Sequence, residues 1–135
     1  MHILEYMQVT LERSQDLFAA LGDPIRLRLA CCLAVARDGL CVCELVDALG
    51  APQPNVSRHL KLMKSSDLVE ERRDGRFVYY RLKGTENPLF ENLRCCLESV
   101  CCCADIQSDL KRLRERLKLR RSGKCVVGFQ AKSRR

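Results

Sequence analysis

One stretch constrains the fold more than any other. Residues 43–82 read CELVDALGAPQPNVSRHLKLMKSSDLVEERRDGRFVYYRL. The spacing predicts a short helix over 43–49, stopped by Gly50 as a left-handed cap would stop it. Ala51 and Pro52 complete a turn, and Pro54 suits a helix start. The next helix runs to about residue 64 and shows Val56, Leu60 and Met63 on one face. Asn55, Ser57, Arg58 and Lys61 lie away from that face. Residues 68–71 and 77–82 then alternate or run apolar, rich in β-branched and aromatic side chains. Arg72, Arg73, Asp74, Gly75 and Arg76 separate them. Asp-Gly between two such runs is a strong hairpin signal. A helix, a turn, a helix and a hairpin make the plan of a winged helix-turn-helix, which reads duplex DNA.

The flanks complete a mainly α fold with a β-hairpin wing. Residues 4–21 place Leu4, Met7, Leu11, Leu17, Phe18 and Leu21 at roughly helical spacing. Asp23 can cap a second helix over 24–36, with Pro24 in its first position. After Gly84 and Pro88 a long helix is expected, which gives the order α–α–α–α–β–β–α. It carries Leu89, Leu93 and Leu97, then Ile106, Leu110, Leu113 and Leu117. The second group forms a seam at spacings of four, three and four. Such a seam calls for a partner helix, most simply that of a second copy in a homodimer. Residues 1–117 are read as the domain with its dimerisation helices, and 118–135 as a basic, disordered tail.

Charge is unevenly spread. Residues 52–83 hold eight basic and four acidic side chains, a balance of +4, and residues 111–135 hold eleven and one, a balance of +10. The net charge of the chain is +7. Basic segments of this kind suit a polyanionic partner. No apolar run approaches the roughly 20 residues needed to span a bilayer. The start, MHILEYMQVTLERSQ, does not have the pattern of a signal peptide. The expectation is a cytoplasmic protein.

The expected groove-facing set is Gln53, Asn55, Ser57 and Arg58. Asn or Gln can pair with adenine, and Arg with guanine, in bidentate fashion. Lys61 and Lys64 are the expected phosphate contacts, and Arg72, Arg73 and Arg76 the wing contacts. His59 is expected at the groove edge or under the helix rather than on a metal.

At these residues the sequence resembles the ArsR/SmtB family of arsenic- and metal-sensing repressors. The resemblance rests on LGDPIRLRLA at 21–30, LCVCELVDALG at 40–50, QPNVSRHLKLMKSSDLV at 53–69 and RRDGRFVYYRL at 72–82. It covers roughly residues 10–115. It implies a homodimer of winged helix-turn-helix halves joined through the first and last helices, and no enzyme activity. It also implies repression by operator binding, released when the sensed ion binds.

Ten cysteines in a cytosolic chain are expected to be reduced. Their clustering points to a soft, thiophilic ligand or to thiol redox chemistry. A trivalent arsenic or antimony ion binds three thiolates in a pyramid, so three sulfurs must converge. The best-known arsenic sensors of the family carry a CVCDLC-type motif. Here Cys41, Val42, Cys43, Glu44 and Leu45 follow it, but Val46 replaces the third thiol. The inherited site is therefore incomplete. A second cluster, Cys95, Cys96, Cys101, Cys102 and Cys103, offers five thiols in nine residues. Cys95, Cys96 and Cys102 are the expected ligands, with Cys101, Cys103, Cys41 and Cys43 as alternates. Convergence there needs a bend, a local unwinding, or thiols from the second subunit, because seven helical residues rise roughly 10 Å. Cys31 and Cys32 read as core residues, and Cys125 has no assigned role. The family's other common site, Asp and His on the last helix, is not matched, since the two histidines are His2 and His59.

Three other functions fit less well. A redox- or persulfide-sensing repressor, or one sensing cadmium or lead, would share the fold. A thiol enzyme lacks both a C-x-x-C pair and a histidine beside a cysteine. A metal-storage protein leaves the recognition helix and wing without purpose.

Overall fold

The computed structural model of the chain describes residues 10–84 and 88–128. The first helix, α1, spans Leu11–Leu21. Thr10 caps it, its hydroxyl accepting from the Arg13 N–H at 3.0 Å. The part of the expected first helix before residue 10 lies outside the described residues. Helix α2 spans Pro24–Val35. The Asp23 carboxylate accepts from the Ile25 and Arg26 N–H groups at 2.9 and 3.1 Å, the cap read from the sequence.

A short strand, β1 (Leu40–Cys41), then leads directly into α3 (Val42–Leu49). This strand was not legible in the sequence. It is two residues long and exists only by pairing with a strand forty residues later. Gly50 ends α3 at φ +65°, and its N–H returns to the Val46 carbonyl at 2.8 Å. The recognition helix, α4, spans Gln53–Ser65, with Pro54 in its first turn. Val56, Leu60 and Met63 face inward.

The wing consists of β2 (Val69–Asp74) and β3 (Phe77–Leu82), paired antiparallel with Asp74 opposite Phe77. The loop is thus Gly75–Arg76, one residue later than an Asp-Gly turn. Gly75 takes φ +64° at the first central position, which favours glycine there. Strand β3 lies between β1 and β2 in the sheet. Gly39 stands at φ +108° beside that edge. A Cβ there would sit 3.1 Å from the Tyr80 carbonyl oxygen.

The expected long final helix is two helices, α5 (Pro88–Val100) and α6 (Ala104–Leu117). The break falls on Cys101–Cys103, where Cys103 turns to φ −65°, ψ 142°. Cysteine is a modest helix former, and three in a row weaken the ladder there. Gln107 Nε2 reaches back to the freed Cys101 carbonyl at 2.5 Å.

The seam of α6 also departs from expectation. Ile106, Leu110 and Leu113 are buried within this chain's own core, and Leu117 packs against it. Helix α6 lies on α3 and α2. Ion pairs to buried carboxylates fix this docking. Arg28 of α2 holds Asp109 at 2.8 and 2.9 Å, and Arg116 holds Asp47 at 2.6 Å. The seam's periodicity is real, but the surface that covers it is intramolecular.

Residues 118–128 differ from the expected solvated tail. They fold back across the start of α3 and the wing. Arg120 donates to both Glu44 carboxylate oxygens at 2.7 Å and to the Gly39 carbonyl at 3.0 Å. The Cys125 N–H donates to the Tyr79 hydroxyl at 2.9 Å, and Lys124 pairs with Asp74 at 3.2 Å.

Candidate functional site

The strap of residues 118–128 brings a third sulfur to the pair at the head of α3. Cys41 is the residue before α3, and Cys43 lies in its first turn. Their sulfurs are 2.9 Å apart and share a hydrogen bond. Cys125 Sγ lies 3.4 Å from Cys43 Sγ. All three sulfurs are within 4.8 Å of one another, and all three residues are buried. This is the one such cluster among the described residues.

The surroundings favour one thiolate, that of Cys43. Hydrogen bonding from Cys41 holds the Cys43 thiol below its ordinary value, at about 7, although burial opposes this. The same hydrogen bond, together with burial, pushes Cys41 up, and burial pushes Cys125 up. The pair thus releases one proton readily and holds the second. The positive end of α3 and the Arg116 guanidinium favour that first thiolate. Arg116 is 5% exposed. Its Nη2 lies 3.9 Å from Cys125 Sγ and donates to the Val127 and Gly128 carbonyls at 2.5 and 2.8 Å. Glu44 lies beneath the site. Burial disfavours its charge, but Arg120 and the Cys41 N–H outweigh this and keep its carboxyl below the usual range.

The cluster expected on the last helices is arranged differently. Cys95, Cys96, Cys102 and Cys103 are exposed, and no three of those thiols converge within the chain. Cys101 is buried, and the neighbouring Cys31 Sγ donates to the Leu97 carbonyl at 3.8 Å. Cys31 and Cys32 are core residues, as read from the sequence, and burial pushes both thiols up. Cys125 was the residue missed. It stands 82 positions from Cys43 in a segment without periodicity. One signal could have found it. Arg116 and Arg120, four residues apart, match Asp47 and Glu44, three residues apart on α3.

The DNA-facing residues are presented as a connected surface. Gln53, Asn55, Arg58, Lys61 and Lys64 are exposed along α4, and Ser57 is half-buried. Gln53 Nε2 donates to the Ser57 hydroxyl at 2.7 Å. Lys64 pairs with Glu71 of β2, which ties the recognition helix to the wing. Arg72, Arg73 and Arg76 are exposed on the hairpin. Arg72 stacks over Tyr79 at 5.3 Å and Arg76 over Phe77 at 5.0 Å. Arg76 also donates to the Val126 carbonyl at 3.4 Å, so one wing arginine touches the strap. His59 packs against Arg26 at 3.2 Å, away from any thiol.

Comparison with known proteins decides the family. The sequence model described as "Bacterial regulatory protein, arsR family" matches residues 23–71. An uncharacterized HTH-type transcriptional regulator of Methanocaldococcus jannaschii is 38% identical over 69 residues, which cover 51% of this chain and 76% of that protein. The chain belongs to the ArsR family. The arsenic resistance transcriptional regulator ArsR2 of Pseudomonas putida is 46% identical over 67 residues, half of this chain and 57% of that regulator. The chain thus spans little more than half of that relative's length. Among solved structures, HlyU from Vibrio cholerae superposes with a TM-score of 0.60 at 27% identity, over 72% of this chain and all of that one. ArsR-family members are helix-turn-helix regulators rather than enzymes, and the winged architecture is theirs. The matched 23–71 segment ends before Cys125, so the third thiol lies outside the shared region.

Proposed function

We propose that this chain is a transcriptional repressor that binds double-stranded operator DNA and lets go on binding arsenite or antimonite. The observation that carries the reading is the convergence of Cys41, Cys43 and Cys125. Thiolates are soft donors and select soft ions. Three of them fill the pyramid of a trivalent metalloid, whose lone pair takes the fourth direction. With metal–sulfur bonds of about 2.3 Å and near-tetrahedral angles, donor sulfurs lie roughly 3.8 Å apart. The observed separations of 2.9 and 3.4 Å need only small adjustments. Arsenite enters as As(OH)₃, and each thiol proton leaves with a hydroxyl as water, so uptake by three thiols releases no net proton.

Binding at this place can be felt by the DNA-reading surface in two ways. Cys41 and Cys43 stand at the head of α3, which leads through Gly50 into α4. Cys125 sits in the strap, which touches Tyr79, Arg76 and Asp74 of the wing. Drawing three sulfurs around one ion shifts the head of α3 and the strap against the hairpin. The ion moves the equilibrium by its differential affinity for the DNA-bound and free conformations.

The base-reading roles fall to Gln53, Asn55, Ser57 and Arg58, the phosphate roles to Lys61 and Lys64, and the wing roles to Arg72, Arg73 and Arg76. Two copies act together. Leu11 and Phe18, seven residues apart on one face of α1, are 84% and 59% exposed, and a partner copy covers them. Binding of the chain to a labelled promoter fragment, with and without arsenite under reducing conditions, tests the reading. Release by arsenite supports it. Release by an oxidant alone would favour a redox repressor, and release by cadmium or lead alone a divalent-ion sensor.

A further inference from the structure

The basic residues of the strap divide into an inward and an outward pair. Residues 118–128 hold Lys118, Arg120, Arg121 and Lys124 and no acidic side chain. Arg120 is committed inward, to Glu44, to the Gly39 carbonyl and to the Gly123 carbonyl at 3.2 Å. Lys118 pairs with Glu115 of α6 at 2.9 Å. Arg121 and Lys124 are exposed and face each other across a tight turn. The Arg121 N–H donates to the Lys124 carbonyl at 2.9 Å, and the Lys124 N–H to the Arg121 carbonyl at 3.0 Å. Between them Ser122 and Gly123 take φ +54° and +74°, the left-handed pair of a type I′ turn. Residues directly opposite in such a pair project from one face, with Cα atoms about 5.5 Å apart, and like charges so placed repel. Among the described residues no carboxylate pairs with Arg121. Lys124 reaches Asp74, yet its side chain is still 64% exposed.

We infer that the Arg121–Lys124 turn is a third DNA contact, which holds the phosphate backbone outside the segment read by α4 and the wing. The inference rests on the reading of the wing as a DNA contact. Side chains alternate along β2. Glu71, which pairs with Lys64 of α4, points to one face, and Arg72 and Asp74 point to the other, where Tyr79 stands opposite Arg72. The turn is fastened to that second face, by Lys124 on Asp74 and by the Cys125 N–H on the Tyr79 hydroxyl. It therefore lies on the side of the wing away from the recognition helix. Asp74 is the one carboxylate among Arg72, Arg73 and Arg76, and Arg72 at 3.6 Å and Lys124 at 3.2 Å both neutralise it. Arg72, Arg73, Arg76, Arg121 and Lys124 then form one continuous cationic surface. A duplex carries one negative charge per about 1.7 Å of axis, so a phosphate between Arg121 and Lys124 removes their repulsion and releases counterions. Such a contact fixes the position of the protein and carries no sequence information. The turn lies outside residues 23–71, the part matched by the family model, so this contact is an addition to the shared DNA-reading module.

The test uses the full-length protein under reducing conditions, without metalloid, across a salt series. Two labelled duplexes are compared: the operator alone, and the operator with about one helical turn of DNA, roughly 10 base pairs, added at each end. Arg121→Gln with Lys124→Gln is expected to reduce the salt slope on the longer duplex by about 2, one for each lost phosphate contact. The loss should be the same whatever the sequence of the added DNA. The unaltered protein should bind the longer duplex more tightly than the short one, and the double variant should bind the two alike. Lys124→Gln also unpairs Asp74, so Arg121→Gln alone is the cleaner variant and should lower the slope by about 1. Arg121→Lys keeps the charge and should restore it. A salt slope that falls in Arg73→Ala but not in the double variant overturns the inference and leaves the wing reading standing. A slope unmoved in both overturns both. Equal loss of affinity by the unaltered protein and the double variant on removal of the added DNA also overturns the inference.

Discussion

Cys43 Sγ and Cys125 Sγ lie 3.4 Å apart although 82 residues separate them in the chain. The contact exists because α6 lies along α3, Arg116 in its last turn seats on Asp47, and Arg120 just beyond it seats on Glu44. The strap that follows has no choice but to cross the head of α3. Thiol placement is thus a consequence of charge pairing in the docking of two helices.

The docking should fail when one charge is removed. Arg116 and Asp47 side chains are 3% and 4% exposed, so breaking the pair leaves a buried charge. Arg116→Met is expected to cost about 3–5 kcal/mol, the usual cost of breaking a buried ion pair from one side. Denaturant unfolding measures it. Arg116→Met combined with Asp47→Leu should recover much of the loss. Thiol reactivity of Cys125 should rise in the single variant, because Arg116 also holds the Val127 and Gly128 carbonyls.

The thiol pair should titrate in two widely separated steps. Cys43 is held at about 7 against an ordinary 9.0, mainly by its hydrogen bond from Cys41. A value lowered on folding gives stability that is complete above the unfolded value and lost as pH falls through about 7. Cys41 is raised, so its contribution is present below 9.0 and is lost as pH rises past that value. Thiolate absorbance near 240 nm should show one ionisation close to pH 7, absent in Cys43→Ser. Absence of any step below pH 8 in the unaltered protein would contradict this.

The recognition surface divides by role. Arg58→Ala should cost about 1–3 kcal/mol in operator affinity and relax selectivity at the base it reads. Lys61→Ala and Arg73→Ala should weaken all sequences alike and reduce the salt slope of binding by about 1 each. Equilibrium binding across a salt series distinguishes the two patterns.

The exposed face of α1 should govern assembly. Leu11→Glu with Phe18→Glu is expected to shift sedimentation toward the monomer and to weaken operator binding. Unchanged sedimentation would move the dimer contact elsewhere.

Much of the fold was legible because local chemistry writes it. Asp23 with Pro24, Gly50, and the glycine of the wing turn each mark a boundary that the structure keeps, within a residue at the turn. What was not legible is non-local. The Ile106–Leu117 seam announces a buried face but not which surface buries it, and that surface is α2 and α3 of the same chain. The long final helix breaks at Cys101–Cys103 without the proline or glycine that usually marks a break. Cys95, Cys96 and Cys102 share a cluster in sequence yet are exposed in space. Val46 stands in place of a third thiol, which leaves a gap at the head of α3. Nothing local shows that Cys125 fills it.

Two triple variants test the sensing site most directly. One is Cys41→Ser with Cys43→Ser and Cys125→Ser, and the other is Cys95→Ser with Cys96→Ser and Cys102→Ser. Both are titrated with arsenite while bound to labelled operator under reducing conditions. The first should stay on DNA at every arsenite concentration that frees the unaltered protein, and the second should be released as the unaltered protein is. Release of the first together with retention of the second would place the sensor on the exposed thiols of α5 and the turn after it, and contradict the buried site.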